Sequence, residues 1–368
     1  MAGATASTVL KNRKPQDREC APAGPDGTGP ATGVCAPRRA LLTGLATAAL
    51  APLGAMATLA TPPRHPILVL NSLDADVSVI DPADYTETRR LPTGKEPHHL
   101  YMTPDERSVI VANAVSNSLT FVDPATAQVQ RTLPRILDPY HLCFSPDMRW
   151  FVTAANRLDH VDFYRWLPEA PDPLQLVRRL PATKTPSHLA VDEASQVVYV
   201  SLQDSDEVMA VDLVTQTPRW TVRVGRMPAD LFLTAQDRLL LVGLTGDRYV
   251  EAWDVTTSPP VLASRIATGE GAHAFRARGD GRQVFVSNRV ADTVSVLDLQ
   301  TLQVVDQLPA PGGPDCMEML ADGRTLLVTS RWARRLTCID VQARRITRQV
   351  KVGRSPHGVW TLDHAPRR

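Results

Sequence analysis

The feature that most constrains this chain is a short phrase that recurs seven times along it. It reads Pro97-His98-His99, Pro139-Tyr140-His141, Pro186-Ser187-His188, Pro228-Ala229-Asp230, Gly271-Ala272-His273, Pro314-Asp315-Cys316 and Pro356-His357-Gly358. The gaps between first residues are 42, 47, 42, 43, 43 and 42. A period of that size marks a propeller or a solenoid, because each repeat is a unit too small to bury its own apolar face and must stack on its neighbours.

Each unit carries the pattern of four short strands. In the unit from Pro97, His99 to Thr103 is a first strand and Pro104-Asp105-Glu106 a turn. Ser108 to Asn113 is the second strand, Ser118 to Asp123 the third, and Gln128 to Leu133 the fourth. The apolar second strand repeats as Ile67 to Leu70, Val109 to Ala112, Trp150 to Thr153, Val197 to Val200, Leu239 to Val242, Val284 to Ser287 and Leu326 to Thr329. Third strands end on an acid at Asp81, Asp123, Asp162, Asp212, Asp254, Asp298 and Asp340. The segment Arg165 to Arg179, with Pro168, Pro171 and Pro173, reads as an enlarged loop and accounts for the 47-residue gap.

The ends of the array complete one another. The first unit starts at Ile67 without a first strand, and the last unit is a lone first strand from Gly358 to Leu362. The expected fold is therefore all-β: a seven-bladed β-propeller over residues 64–363, closed by the C-terminal strand completing the N-terminal blade, with 364–368 as a tail. Closure removes the sheet edges that an open array would expose.

These units resemble the YVTN repeat of seven-bladed propellers, the YncE-like family. The resemblance rests on Ile110-Val111-Ala112-Asn113, Phe285-Val286-Ser287-Asn288, Val77-Ser78-Val79-Ile80-Asp81, Val294-Ser295-Val296-Leu297-Asp298 and Val352-Gly353-Arg354-Ser355-Pro356-His357-Gly358. It spans Ile67 to Leu362 and implies a periplasmic or surface protein, but no particular activity, since propellers host many functions. It also implies Gly or a mixture of residues at the third place of the phrase. Gly358 fits, whereas His99, His141, His188 and His273 depart from it.

Residues 1–37 are polar and rich in Gly, Pro and Ala, the composition of a disordered lead. Arg38-Arg39 then precedes an uncharged apolar run to Ala60 with Ala55-Met56-Ala57 as a cleavage candidate, so 38–60 reads as a twin-arginine-like signal peptide for export. The run contains Pro52 and Gly54 and makes a weak permanent span. Of 40 Lys/Arg and 39 Asp/Glu, the first sixty residues hold six and three, leaving 34 minus 36, or −2. A near-neutral monomeric body argues against broad nucleic-acid binding, which needs clustered cations.

Three cysteines follow that segment, Cys143, Cys316 and Cys338, too few for a disulfide framework. Cys143 and Cys338 fall inside strands as core thiols, and Trp150, Trp253, Trp332 and Trp360 fall where blade packing uses large rings. No Cys-x-x-Cys-His, Gly-x-Ser-x-Gly, P-loop or dinucleotide glycine motif occurs, which removes covalent haem and the common nucleophile and phosphate sites.

The unexplained content is thus the ring at the channel. His99, His141, His188 and His273, with Asp230 and Cys316, are candidate ligands for a transition metal such as copper or zinc, the trio His99, His141 and His188 foremost. Strand alternation is expected to turn His98 and His357 away from the axis. Hairpins on the same face carry Arg157, Arg289 and Arg331, suited to a small anionic ligand or the carboxylates of a tetrapyrrole. Three roles stay open: a binding or scaffold protein meeting a partner protein or small anion at a His/Arg-rich channel mouth, a metal- or tetrapyrrole-dependent periplasmic oxidoreductase, and a lactonase-like hydrolase.

Overall fold

The structure, a computed structural model, describes residues 65–367. The lead 1–37 and the twin-arginine segment 38–60 lie outside the described residues. Strands from Ile67 to Trp360 form seven four-stranded antiparallel sheets, each made of consecutive strands except one. In that one, Pro356–Trp360 pairs with Ile67–Asn71, bringing Trp360 opposite Leu68 and Val359 opposite Val69. The seven-bladed propeller expected from the repeat, and its closure by the C-terminal strand, are both present. No helix among the described residues is long and apolar enough to cross a membrane.

The burial of each strand follows its place in the blade. Second and third strands such as Val109–Asn113 and Ser118–Val122 are buried throughout, because neighbouring blades cover both their faces. Fourth strands such as Glu87–Pro92 lie at the rim and bury little beyond Leu91. The core is a series of clusters between adjacent blades. Val152 and Phe163 of one blade, for example, share a cluster with Leu189 and Val198 of the next.

Polar residues of the repeat have local duties. Asn71, Asn113 and Asn288 end second strands and donate across to Ser78 Oγ at 2.8 Å, Thr120 Oγ1 at 2.9 Å and Ser295 Oγ at 2.9 Å. The acid after the third strand folds the following turn: Asp123 accepts the amides of Ala125 and Thr126, and Asp340 those of Gln342 and Ala343. Asp162 is the exception. Its strand runs on from His160 to Trp166, so Asp162 sits buried in mid-strand and takes a bidentate contact from Arg179. The enlarged loop shrinks accordingly to Leu167–Pro173, the flanking residues having lengthened the strands on either side.

Two further expectations are corrected. Trp332 is not packed inside a blade; it is largely exposed on a hairpin, lying against Gly313, where φ is +72° and a Cβ would come within 2.5 Å of the indole. The phrase in the fifth unit slips by one residue. Ala272, not Gly271, pairs with Asn288 as Pro97 pairs with Asn113, so His273 matches His98 and Ala274 matches His99. The residue just before each inner strand confirms that register, since Glu96, Asp138, Thr185, Met227, Gly271, Gly313 and Ser355 all have positive φ.

A layered histidine chamber on the propeller axis

Each inner strand opens with a bulge. Pro97 pairs with Asn113 and Leu100 with Val111, so His98 and His99 together oppose one residue, Ala112. A bulge of this kind abolishes simple alternation. Residues at both the second and the third place of the phrase therefore reach the axis, in two layers.

The layer nearer the hairpins is a closed plug. Asp315, fully buried, sits at its centre. Its Oδ2 accepts from Arg289 at 2.9 Å and Arg331 at 3.1 Å, while Oδ1 lies 2.8 Å from His273 Nε2 and 3.5 Å from His357 Nε2. Burial works to raise this carboxyl, yet the Arg289 guanidinium and the His357 and His273 imidazoles hold it well below the ordinary range. His98 stacks between His357 and Tyr140 with ring centroids 3.7 and 3.9 Å away. His357 Nδ1 donates to the His98 carbonyl at 2.8 Å, which fixes its tautomer. His98 and His357 are thus central, contrary to the alternation argument, and the bulge is the reason.

The next layer is open. A cavity of about 210 Å³ is lined by all seven third-place residues, His99, His141, His188, Asp230, Ala274, Cys316 and Gly358. His99, His141 and His188 come from three successive blades, with ring centroids 4.4, 4.9 and 5.1 Å apart and ligand-capable atoms all within 4.8 Å of one another. His188 Nδ1 lies 2.9 Å from Ser187 Oγ, which holds the ring, and its backbone amide donates to Ser201 Oγ, which anchors the strand beneath it. His99 Nε2 and His141 Nδ1 are buried without a hydrogen-bond partner among the described residues.

Electrostatics favour neutral imidazoles here. Burial holds His99 and His188 well below the ordinary value, with neighbouring imidazoles reinforcing it, and burial alone takes His141 down to about 3. Burial likewise pushes Asp230 up to about 7 against the amides of Leu231 and Phe275 that it accepts, and raises Cys316 well above its usual value. Neutral imidazoles whose ligand-capable nitrogens lie this close together are a cation-binding arrangement. The second group of close ligand atoms, His273, Asp315 and His357, is a poor one, because two guanidiniums already overcompensate its only carboxylate.

The structure gathers His99, His141, His188, Asp230 and Cys316 around one cavity. His273 joins the plug instead, its ring 5.6 Å from that of His188. Arg289 and Arg331 are engaged by Asp315, and Arg157 stands apart at the rim, bound to Asp138 at 2.5 Å and Glu96 at 2.7 Å. The histidines are therefore channel-interior residues, not a mouth. Asp315 escaped the sequence reading although it was inside the phrase; its signal was a lone acid at the second place. Also unanticipated is a third layer beneath the cavity. Buried Glu318 takes Arg276 Nε at 2.5 Å and also pairs with Arg367, and Arg276 donates to the carbonyls of Ala365 at 2.6 Å and Pro366 at 2.9 Å.

Comparison with known proteins places this architecture. A family model described as YNCE-like beta-propeller matches residues 30–367. No curated protein matches the chain. Among solved structures, a functionally unknown protein from Desulfotomaculum acetoxidans superposes with a TM-score of 0.70 at 12% identity, covering 80% of this chain and 98% of that one. A dihydro-heme d1 dehydrogenase in complex with its ligand gives 0.63 at 16%, covering 84% and 78%. A putative 6-phosphogluconolactonase from Bacteroides fragilis gives 0.64 at 13%, covering 81% and 98%. At such identities the likeness is one of fold.

Proposed function

The chain belongs to the YNCE-like β-propeller family, and on that scaffold we propose a binding protein whose axial chamber takes one transition-metal ion on His99, His141 and His188. The observation that carries this reading is the convergence of three neutral imidazoles, two with a buried unpaired nitrogen, on a cavity open to further ligands. Each imidazole stands on a different blade, so the set is rigid before an ion arrives. Nitrogen donors of this kind suit copper or zinc, and three protein ligands leave coordination positions free toward the chamber, the pattern of sites that bind or transform a small molecule. Ser187 against His188 Nδ1 is the sort of outer partner that orients a ligating ring.

The carboxylate-binding role considered for Arg289 and Arg331 is weakened by their engagement with Asp315, which favours the metal over a tetrapyrrole. Arg38-Arg39 and the apolar run behind it support export to the periplasm, where a twin-arginine route would carry the propeller folded.

Titrating metal-free protein with zinc and with copper(I) by calorimetry is the direct check. One equivalent should bind, and the ion at a hundredfold excess over its dissociation constant should stabilise the fold by about 2.7 kcal/mol. His99→Ala, His141→Ala and His188→Ala should each remove most of that binding while far-ultraviolet dichroism stays unchanged. Absence of both stoichiometric metal and any shift in melting would end the reading.

A further inference from the structure

Resting on the metal-bearing chamber just proposed, we propose that the ion's exogenous ligand is a small monocarboxylate with an apolar body, admitted from the face opposite the hairpins. The first support is access. On the hairpin side the Asp315 plug closes the axis. On the other side the chamber adjoins a second cavity of about 590 Å³ at the far ends of the inner strands. The two share Tyr101, Leu189, Leu231, Phe232 and Arg367 as lining, so they are neighbouring compartments of one channel. The outer volume lies in the range of sites that enclose small organic ligands.

The second support is the character of the walls. Besides the shared residues, the outer compartment is faced by Met102, Phe144, Val191 and Leu233, and its charged side chains are Glu193 at the exposed rim and Arg367 at the junction. An apolar group would leave water there at about 25 cal/mol per Å² buried.

The third support is charge. Three neutral imidazoles do not compensate a divalent ion; on the chamber wall both carboxyl oxygens of Asp230 already accept backbone amides, from Leu231 and Phe275, and the carboxylate of Glu318 is shared between Arg276 and Arg367. Those three side chains sum to +1. A buried cation beside a net positive junction is costly unless an anion accompanies it. A carboxylate completing the coordination supplies that anion at the chamber, and the rest of the molecule then extends past Arg367 into the apolar compartment.

Octanoate, octanol and octylamine, titrated by calorimetry into metal-free and zinc-loaded protein, test this with zinc affinity measured beforehand. Octanoate is expected to bind the zinc-loaded form at least about tenfold more tightly than octanol, with octylamine weakest. Leu231→Trp, which fills the shared wall, should abolish octanoate binding and keep zinc affinity. Arg367→Gln should weaken octanoate several-fold and leave octanol unaffected, which holds the test together if the tryptophan variant misfolds. Equal binding of octanoate and octanol to zinc-loaded protein overturns the proposal while the metal site stands. If zinc itself fails to bind, the metal reading falls first. This proposal, which places the carboxylate on that ion, then falls with it, whatever octanoate does with the metal-free protein.

Discussion

At the scale of single residues, Asp315 organises the axis. Two arginines and two imidazoles converge on a carboxylate that no water reaches, and removing its charge would leave two half-buried guanidiniums without their counter-charge. Asp315→Asn is expected to destabilise the protein by about 3–5 kcal/mol, read as a lower midpoint in urea unfolding. An unchanged midpoint would show that the arginines find solvent instead. By contrast, Ala274, which shares the chamber wall, should accept Ser at little cost, since the cavity leaves room for one hydroxyl. His99, His141 and His188 were legible because they break a repeated pattern. Asp315 was not, because its importance lies in partners from two hairpins and two other inner strands that sequence spacing does not bring together.

At the scale of elements, the repeat explains itself through turns and bulges. The acid after the third strand is a turn-former in six blades, for instance Asp340, whose carboxylate takes Arg324 and the amides of Ala343 and Gln342 and is held down at about 2. A carboxyl depressed in the folded state stabilises above its ordinary value of 3.8 and loses that contribution as pH falls toward 2. Asp340→Asn should therefore cost roughly 0.5–1 kcal/mol at neutral pH, since its partner Arg324 is largely exposed and solvent screens the pair, and the gap from the unsubstituted protein should close below pH 3 in guanidinium titrations. A gap that persists at pH 2 would assign the effect to shape and not to charge. Strand order and hairpin positions could be read from alternation and turn residues. The bulge at each inner strand cannot, because an extra unpaired residue leaves the composition unchanged, and this is why simple alternation misdirects His98 and His357; the register of the fifth phrase is hidden for another reason, Ala272 standing where the other six units have Pro.

At the scale of the whole molecule, closure is the decisive contact. Pro356–Trp360 completes the sheet begun at Ile67–Asn71, and Trp360, almost wholly buried, packs with Leu68, Leu70 and Leu100 across the seam. Trp360→Ala should cost about 3–5 kcal/mol, and a chain ending at Gly353 should aggregate, since it exposes an entire strand edge. Light scattering on the truncated chain decides this; a soluble, cooperatively melting monomer would contradict it. Blade number, closure and family were determined by the sequence alone, because a period near 42 residues and complementary half-blades admit one solution. Which of the phrase's side chains face a cavity, which face a buried aspartate, and which end of the channel is open were decided only by tertiary structure. Those outcomes depend on where seven strands from distant parts of the chain converge, and on bulges whose direction is set by packing around the axis.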